Sequence, residues 1–223
     1  MVDLAIPASC AARPTVGGVV APYINLRLAD GGVDFRSPHH KAYEECWTNC
    51  WCQVCGQPTG RPAVLFGGPN QVAAGRFDEP PLCAPCAQYA SKACPMVAGR
   101  QPRYADRARI SEGRRGHTCP DPGCGCGGFV PVDPNHGDAA GEPAHNWYAV
   151  FIDPRAYQVT AHRATVRCSD LGCEHERVIV NGGQLTAAPL KVVLVSTQDE
   201  GRVWRPLAPH EWPTTTCTRE ATS

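Results

Sequence analysis

The sequence predicts an α+β fold with long irregular connections, and three observations lead to that class. Residues 146–208 contain several runs of β-branched and aromatic residues, which are typical of strands. Around Tyr89, apolar residues recur at helical spacing and stop before Pro95. The 223 residues also include 22 glycines and 22 prolines, so loops should take a large share of the chain.

Residues 1–45 are predicted to form a leader with one β-hairpin. Apolar residues alternate between Val19 and Leu28, and residues 33–36 can pair back on them across a glycine-containing turn. The chain has no apolar run of about 20 residues, so the sequence predicts no membrane span. It also lacks a basic segment followed by an apolar one near its start, as an export signal would have. The expected compartment is the cytoplasm, where thiols stay reduced.

Most of the 14 cysteines lie in clusters. Disulfides are disfavoured in a reducing compartment, so clustering indicates that thiolates bind metal. Cys10 and Cys217 stand alone, whereas the others form four groups: Cys46, Cys50, Cys52 and Cys55; Cys83, Cys86 and Cys94; Cys119, Cys124 and Cys126; and Cys168 and Cys173.

Two C-x-x-C pairs within residues 46–99 predict a zinc site made by Cys52, Cys55, Cys83 and Cys86. Two intervening residues allow both thiolates of a pair to point at one ion, with backbone amides facing the sulfurs. Gly56 permits a tight turn after the first pair. The second pair opens the predicted helix, whose N-terminal dipole favours thiolates.

Residues 61–66 are predicted to form a strand and residues 67–70 a turn. A knuckle at residues 52–56, then a hairpin, then ligands at a helix start predict a treble-clef or zinc-ribbon lobe over 46–99. Cys50 is an alternative to Cys52, and Cys46 and Cys94 are interpreted as small core residues. Four thiolates complete a tetrahedral coordination sphere, so this zinc would stabilise the fold and leave no position for a reactive water.

Four motifs lie between Cys52 and Val97: Cys52-x-x-Cys55-Gly56, Glu79-Pro80-Pro81, Cys86-Ala87-x-Tyr89-Ala90 and Ala93-Cys94-Pro95-Met96. Through these motifs the stretch resembles uncharacterised zinc-binding proteins of actinobacteria and their phages, sometimes labelled cell envelope biogenesis proteins. That group usually has His where this chain has Cys83, and either residue can bind zinc. The resemblance implies a metal-binding module, in an accessory protein of a phage or an actinobacterium, with no established activity.

A second metal site is predicted from two similar C-x4-C segments, one in the Arg-, Gly- and Pro-rich linker 100–145 and one in the β-rich segment 146–208. The spacing is less specific than C-x-x-C, and two loop turns with incidental cysteines are the alternative. The preferred ligands are Cys119, Cys124, Cys168 and Cys173, and the substitutes are Cys126, His117 and His175.

Five strands and a following segment are expected in 146–208, at 147–152, 157–161, 163–168, 177–180, 191–196 and 202–204. Asn181-Gly182-Gly183 is interpreted as a turn. Residues 209–223 are polar and are predicted to form a flexible tail.

The cysteine pattern does not match the catalytic classes that use similar motifs. A zinc deaminase needs Glu two residues after its first ligand, where this chain has Val54. An HNH-type nuclease needs His on the hairpin and helix, and residues 61–70 and 87–94 contain none. The H-E-x-x-H motif of metalloproteases is also absent. The sequence therefore favours a non-enzymatic module, although a zinc enzyme of an unrecognised class stays an alternative.

Nucleic acid is the first candidate partner, and another protein is the second. The formal net charge is zero, so the overall balance points to neither. However, six arginines against two acids lie between Arg100 and Arg115, and such a run can contact phosphates. An exposed linker is the alternative. The candidate contacts are Arg107, Arg109, Arg114 and Arg115.

Overall fold

The computed structural model describes residues 4–27, 32–104, 141–167 and 174–214. The predicted α+β class is confirmed. The helices are α1 (His40–Asn49), α2 (Pro69–Ala74) and α3 (Ala84–Ala93), with short 3-10 turns at Ala8–Cys10 and Pro209–Glu211. The strands before α3 are β1 (Thr15–Val16), β2 (Val19–Val20), β3 (Asn25–Arg27), β4 (Val33–Pro38), β5 (Ala63–Gly67), β6 (Arg76–Phe77) and β7 (Leu82–Cys83). Those after it are β8 (Trp147–Ile152), β9 (Tyr157–Arg167), β10 (Glu174–Leu185), β11 (Lys191–Thr197) and β12 (Gly201–Leu207).

A five-stranded antiparallel sheet in the order β12-β11-β8-β5-β7 organises the molecule. In β5 all five residues are buried, because both faces of the sheet are covered. Val64 and Phe66 pack into one core cluster together with residues of α3, whereas Ala63 and Leu65 pack into a second cluster with Trp47 of α1. This explains the continuous apolar run of β5, since a strand covered on both faces has no polar face.

The sheet joins segments that the sequence analysis assigned to different domains. β5 lies in the predicted zinc-binding lobe 46–99, and β8 lies in the β-rich segment 146–208. The two strands pair along their length, from Ala63 opposite Ile152 to Gly67 opposite Tyr148. The predicted domain bounds stay a prediction, but the described residues on both sides of the 100–145 boundary share one sheet.

The predicted N-terminal hairpin is present, because β3 and β4 pair antiparallel. The helix predicted around Tyr89 is α3, and it ends at Ala93, just before Pro95. Helix α1 was not predicted, and it crosses the predicted boundary at residue 45. Residues 67–70 were predicted as a turn, and instead α2 begins at Pro69, a residue whose fixed φ suits the first helical turn.

Two breaks predicted between strands in the C-terminal half are wrong, because one strand continues through each of them. The segments 157–161 and 163–168 were predicted as separate strands, yet β9 is continuous because β10 pairs with it throughout, with His162 opposite Ile179. The predicted turn at Asn181-Gly182-Gly183 lies inside β10, at a shift of register. Its glycines serve close contacts: a Cβ on Gly182 would lie 2.3 Å from the Phe77 carbonyl oxygen, and one on Gly183 would lie 2.4 Å from the Trp47 ring.

The beginning of the predicted flexible tail packs against the core. Trp212 follows the 3-10 turn Pro209–Glu211 and lies against the second core cluster. Residues 215–223 lie outside the described part of the chain. Within the part that is described, no helix has the length and apolar character that a membrane crossing requires.

Replacing Phe77 tests the second core cluster. Its side chain is fully buried between α1 and the sheet, whereas Phe35 is 44% exposed. Phe77→Ala should lower the free energy of unfolding by about 3–5 kcal/mol, because a large cavity would remain. Phe35→Ala should lower it by less than about 1 kcal/mol. Urea unfolding of both variants measures the difference, and equal losses would contradict this assignment of the core.

Candidate metal centre

The four cysteines predicted as the first site converge in the structure. Their sulfur atoms all lie within 4.8 Å of one another, and the sulfurs of Cys55 and Cys83 are 4.0 Å apart. Tetrahedral zinc with bonds of about 2.3 Å would have sulfur–sulfur edges of about 3.8 Å, so the spacing fits one ion. All four residues are buried, with Cys52 and Cys86 fully enclosed and Cys83 the most accessible at 9%.

The first pair sits in a tight loop that the end of α1 initiates. Cys50 caps α1 in the left-handed conformation, with φ of 53°. The chain then turns back on itself, because Trp51 bridges to Pro58 and the Cys52 N–H donates to the Gln57 carbonyl over 2.7 Å. The Gly56 N–H donates to the Cys52 carbonyl over 2.8 Å and closes the knuckle.

The second pair lies where β7 runs into α3. Cys83 pairs with Ala63 of β5 and is also the residue that precedes the first turn of the helix. Cys86 lies in that first turn, where backbone N–H groups have no helical partner. The expectation that this pair opens a helix is therefore confirmed, and the helix dipole favours negative charge at this end.

Backbone amides face the sulfurs of Cys52, Cys55 and Cys83. The N–H of Cys55 donates to the sulfur of Cys52, the N–H of Gln57 donates to that of Cys55, and the N–H of Cys86 donates to that of Cys83. This is the arrangement that the C-x-x-C spacing predicts for thiolates on a metal. The loop is thus built to hold negatively charged sulfur.

Contacts among the four thiols shift their pKa values in opposite directions. Contact with Cys52 is the main cause that lowers the pKa of Cys55, and it also lowers the pKa of Cys83 to about 7. The pKa values of Cys52 and Cys86 are raised, chiefly by contact with Cys55 and with Cys52 respectively. Two sulfurs thus give up their protons readily while two neighbours retain theirs. A bound cation would stabilise all four as thiolates.

The other cysteines of residues 46–99 lie apart from this group. The Cys50 sulfur lies 3.3 Å from the Thr59 hydroxyl and packs against the second core cluster, so Cys50 does not replace Cys52. Cys46 is fully buried, and burial raises the pKa of its thiol to about 12. Cys94 packs against the first core cluster, and burial raises its pKa too. All eight cysteines in the described part of the chain are free thiols.

The N-terminal segment closes over the centre, which the sequence analysis did not anticipate. The N–H groups of Tyr23 and Ile24 donate to carbonyls in the knuckle, at Val54 and Gln53. The Val20 N–H donates to the Tyr89 hydroxyl on α3 over 2.8 Å.

Cys10 and Ser9, in the first 3-10 turn, reach Cys86 itself, each with its side-chain atom 3.6 Å from the Cys86 sulfur. Cys10 stands alone in the sequence, 76 positions before Cys86, and the fold brings the two together.

Apart from the His175 backbone, the remaining predicted site residues lie outside the described residues. This applies to the preferred ligands of the second metal site, to the Cys126 and His117 substitutes, and to the four arginines proposed as phosphate contacts. The backbone of His175 belongs to β10, but the structure does not describe its side chain. The second site and the arginine contacts therefore stay predictions.

Comparisons with protein-family models, with curated proteins and with solved structures found no match for this chain.

Gly56 offers a test of how the N-terminal segment supports the knuckle. Its φ is 75°, and a Cβ there would lie 2.7 Å from the ring of Tyr23. Gly60 is a matched control, because its φ is 72° and a Cβ there would contact nothing within 4 Å. Gly56→Ala should therefore reduce the free energy of unfolding by about 1–3 kcal/mol more than Gly60→Ala, since only the first change displaces the ring. Equal destabilisation in thermal or urea unfolding would show that Tyr23 does not brace the knuckle.

Proposed function

We propose that this chain is a zinc-binding protein in which Cys52, Cys55, Cys83 and Cys86 hold one structural zinc ion. The observation that carries the proposal is the convergence of four buried sulfurs from two distant pairs, within 4.8 Å of one another. Soft thiolate ligands in a tetrahedral set favour zinc among the metals common in proteins. The donor set needs no further ligand, so the proposed role is to hold the fold together.

The proposed ion would connect the knuckle, the sheet and α3. Cys52 and Cys55 belong to the knuckle after α1, Cys83 lies at the edge of the five-stranded sheet, and Cys86 belongs to α3. All four residues are members of the first core cluster. A metal at this position would therefore set the position of α3 relative to the sheet, and its removal should loosen this face of the molecule.

Metal content of single-cysteine variants tests the proposal. Cys52→Ser and Cys86→Ser should each contain one zinc fewer per chain than the unmodified protein, because each change removes one of four ligands. Cys50→Ser is the matched control and should retain the full content, since that sulfur contacts Thr59 instead. Native mass spectrometry counts the ions directly.

An unmodified protein that binds no zinc would contradict the proposal, and so would an unchanged zinc content in Cys52→Ser. A content of two zinc ions, falling to one in Cys119→Ser or Cys168→Ser, would support the second site as well.

We further propose nucleic acid as the partner of this module. The arginine run from Arg100 to Arg115 supports this partner, and the run follows α3 in the chain. Arg100 and Arg103 donate to the carbonyls of Ala93 and Gly141, so the four arginines further along are the candidates for phosphate contacts. The resemblance over Cys52–Val97 supports a role as an accessory protein of a phage or an actinobacterium, acting in the cytoplasm. A protein adaptor is the second candidate.

Gel-shift titration of labelled duplex DNA at several salt concentrations tests the partner. Changing Arg107, Arg109, Arg114 and Arg115 together to Ala should weaken binding and reduce the salt slope by up to about 4, because up to four phosphate contacts would be lost. Changing the same four to Lys is the control, since it keeps the charge. No binding at low salt, or equal binding by the Ala variant, would reject nucleic acid contact by these arginines and favour the adaptor role.

A further inference from the structure

Two side chains of the N-terminal segment approach the quartet formed by Cys52, Cys55, Cys83 and Cys86. The Ser9 hydroxyl and the Cys10 thiol each lie 3.6 Å from the Cys86 sulfur. Cys10 is 1% exposed and belongs to the same core cluster as the quartet, so its thiol faces the centre and not solvent.

The proposed metal fixes the direction of both contacts, and this step depends on the proposed function. A sulfur that binds zinc is a thiolate and has no proton to donate. Ser9 and Cys10 must then be the donors, and Cys86 the acceptor. Four thiolates around a divalent cation carry a net charge of about −2, which is costly to bury unless donors surround the sulfurs. The two side chains would supply such donors to Cys86.

We propose that Cys10 is a positioning residue of the metal centre, which together with Ser9 donates a hydrogen bond to the Cys86 thiolate and lowers its reactivity. Hydrogen bonds of this kind orient metal ligands and tune their basicity. Cys10 is not a fifth ligand in this arrangement, because the quartet already fills a tetrahedron and the Cys10 sulfur lies outside it. Docking of the N-terminal segment and retention of the metal would therefore be coupled.

Zinc release to excess chelator from the zinc-loaded 223-residue chain tests this role. Cys10→Ala removes the donor and should release zinc about tenfold faster, the lower end of the effect that such supporting residues have. Cys10→Ser keeps a donor and should restore slow release. Cys46→Ala is the matched control, because Cys46 is equally buried and lies outside the quartet.

Cobalt substitution supplies a readout that a merely structural role would not change. A thiolate that loses a hydrogen bond gives up electrons more easily, so the sulfur-to-cobalt charge-transfer band of Cys10→Ala should move to lower energy. The band of Cys46→Ala should keep its position. Metal content per chain should be the same in all three variants, since none of the changes removes a ligand.

Release from Cys10→Ala at the rate of Cys46→Ala, with an unshifted band, would overturn the inference. A loss of charge-transfer intensity equal to one thiolate in Cys10→Ala would also overturn it, because Cys10 would then be a ligand. Failure of the unmodified chain to bind zinc or cobalt would instead refute the proposed function.

Discussion

Four sulfur atoms lie within 4.8 Å of one another in the interior of this protein. The repulsion between them when they are charged is the main electrostatic constraint on the fold. As thiolates they repel each other, and burial removes the water that would screen them. Protons can relieve the repulsion, and so can a cation. The separation of acidities between Cys55 and Cys86 shows the first solution, and the backbone amides directed at the sulfurs favour the second.

The central strand of the sheet connects this centre to the rest of the molecule. One set of β5 side chains packs on the cluster that contains the cysteines, and the alternate set packs on the cluster that contains Trp47 and Phe77. A displacement at the four cysteines would therefore be transmitted to the opposite face through a strand only five residues long. Dense packing makes such transmission effective, because side chains in a core have little room to adjust.

Sequence alone was sufficient to name the four cysteines, since each C-x-x-C spacing imposes a local geometry that does not depend on the remainder of the chain. It was also sufficient for β5, β8, β11 and α3, whose patterns are strong. It failed where a tertiary contact decides the outcome. The Gly182-Gly183 pair looks like a turn locally, but in the fold it makes room for Phe77 and Trp47. Cys10 has no neighbour in sequence that marks it, and only folding brings it to Cys86.

The pairing of β5 with β8 has a consequence for how this protein can be divided. A fragment limited to residues 46–99 would keep every ligand of the quartet but would leave the open edge of β5 without its hydrogen-bonding neighbour. It would also lack Val150 and Val192, which share the second core cluster with Ala63 and Leu65. Exposed strand edges of this kind recruit other chains, so excision would favour self-association over a stable isolated module.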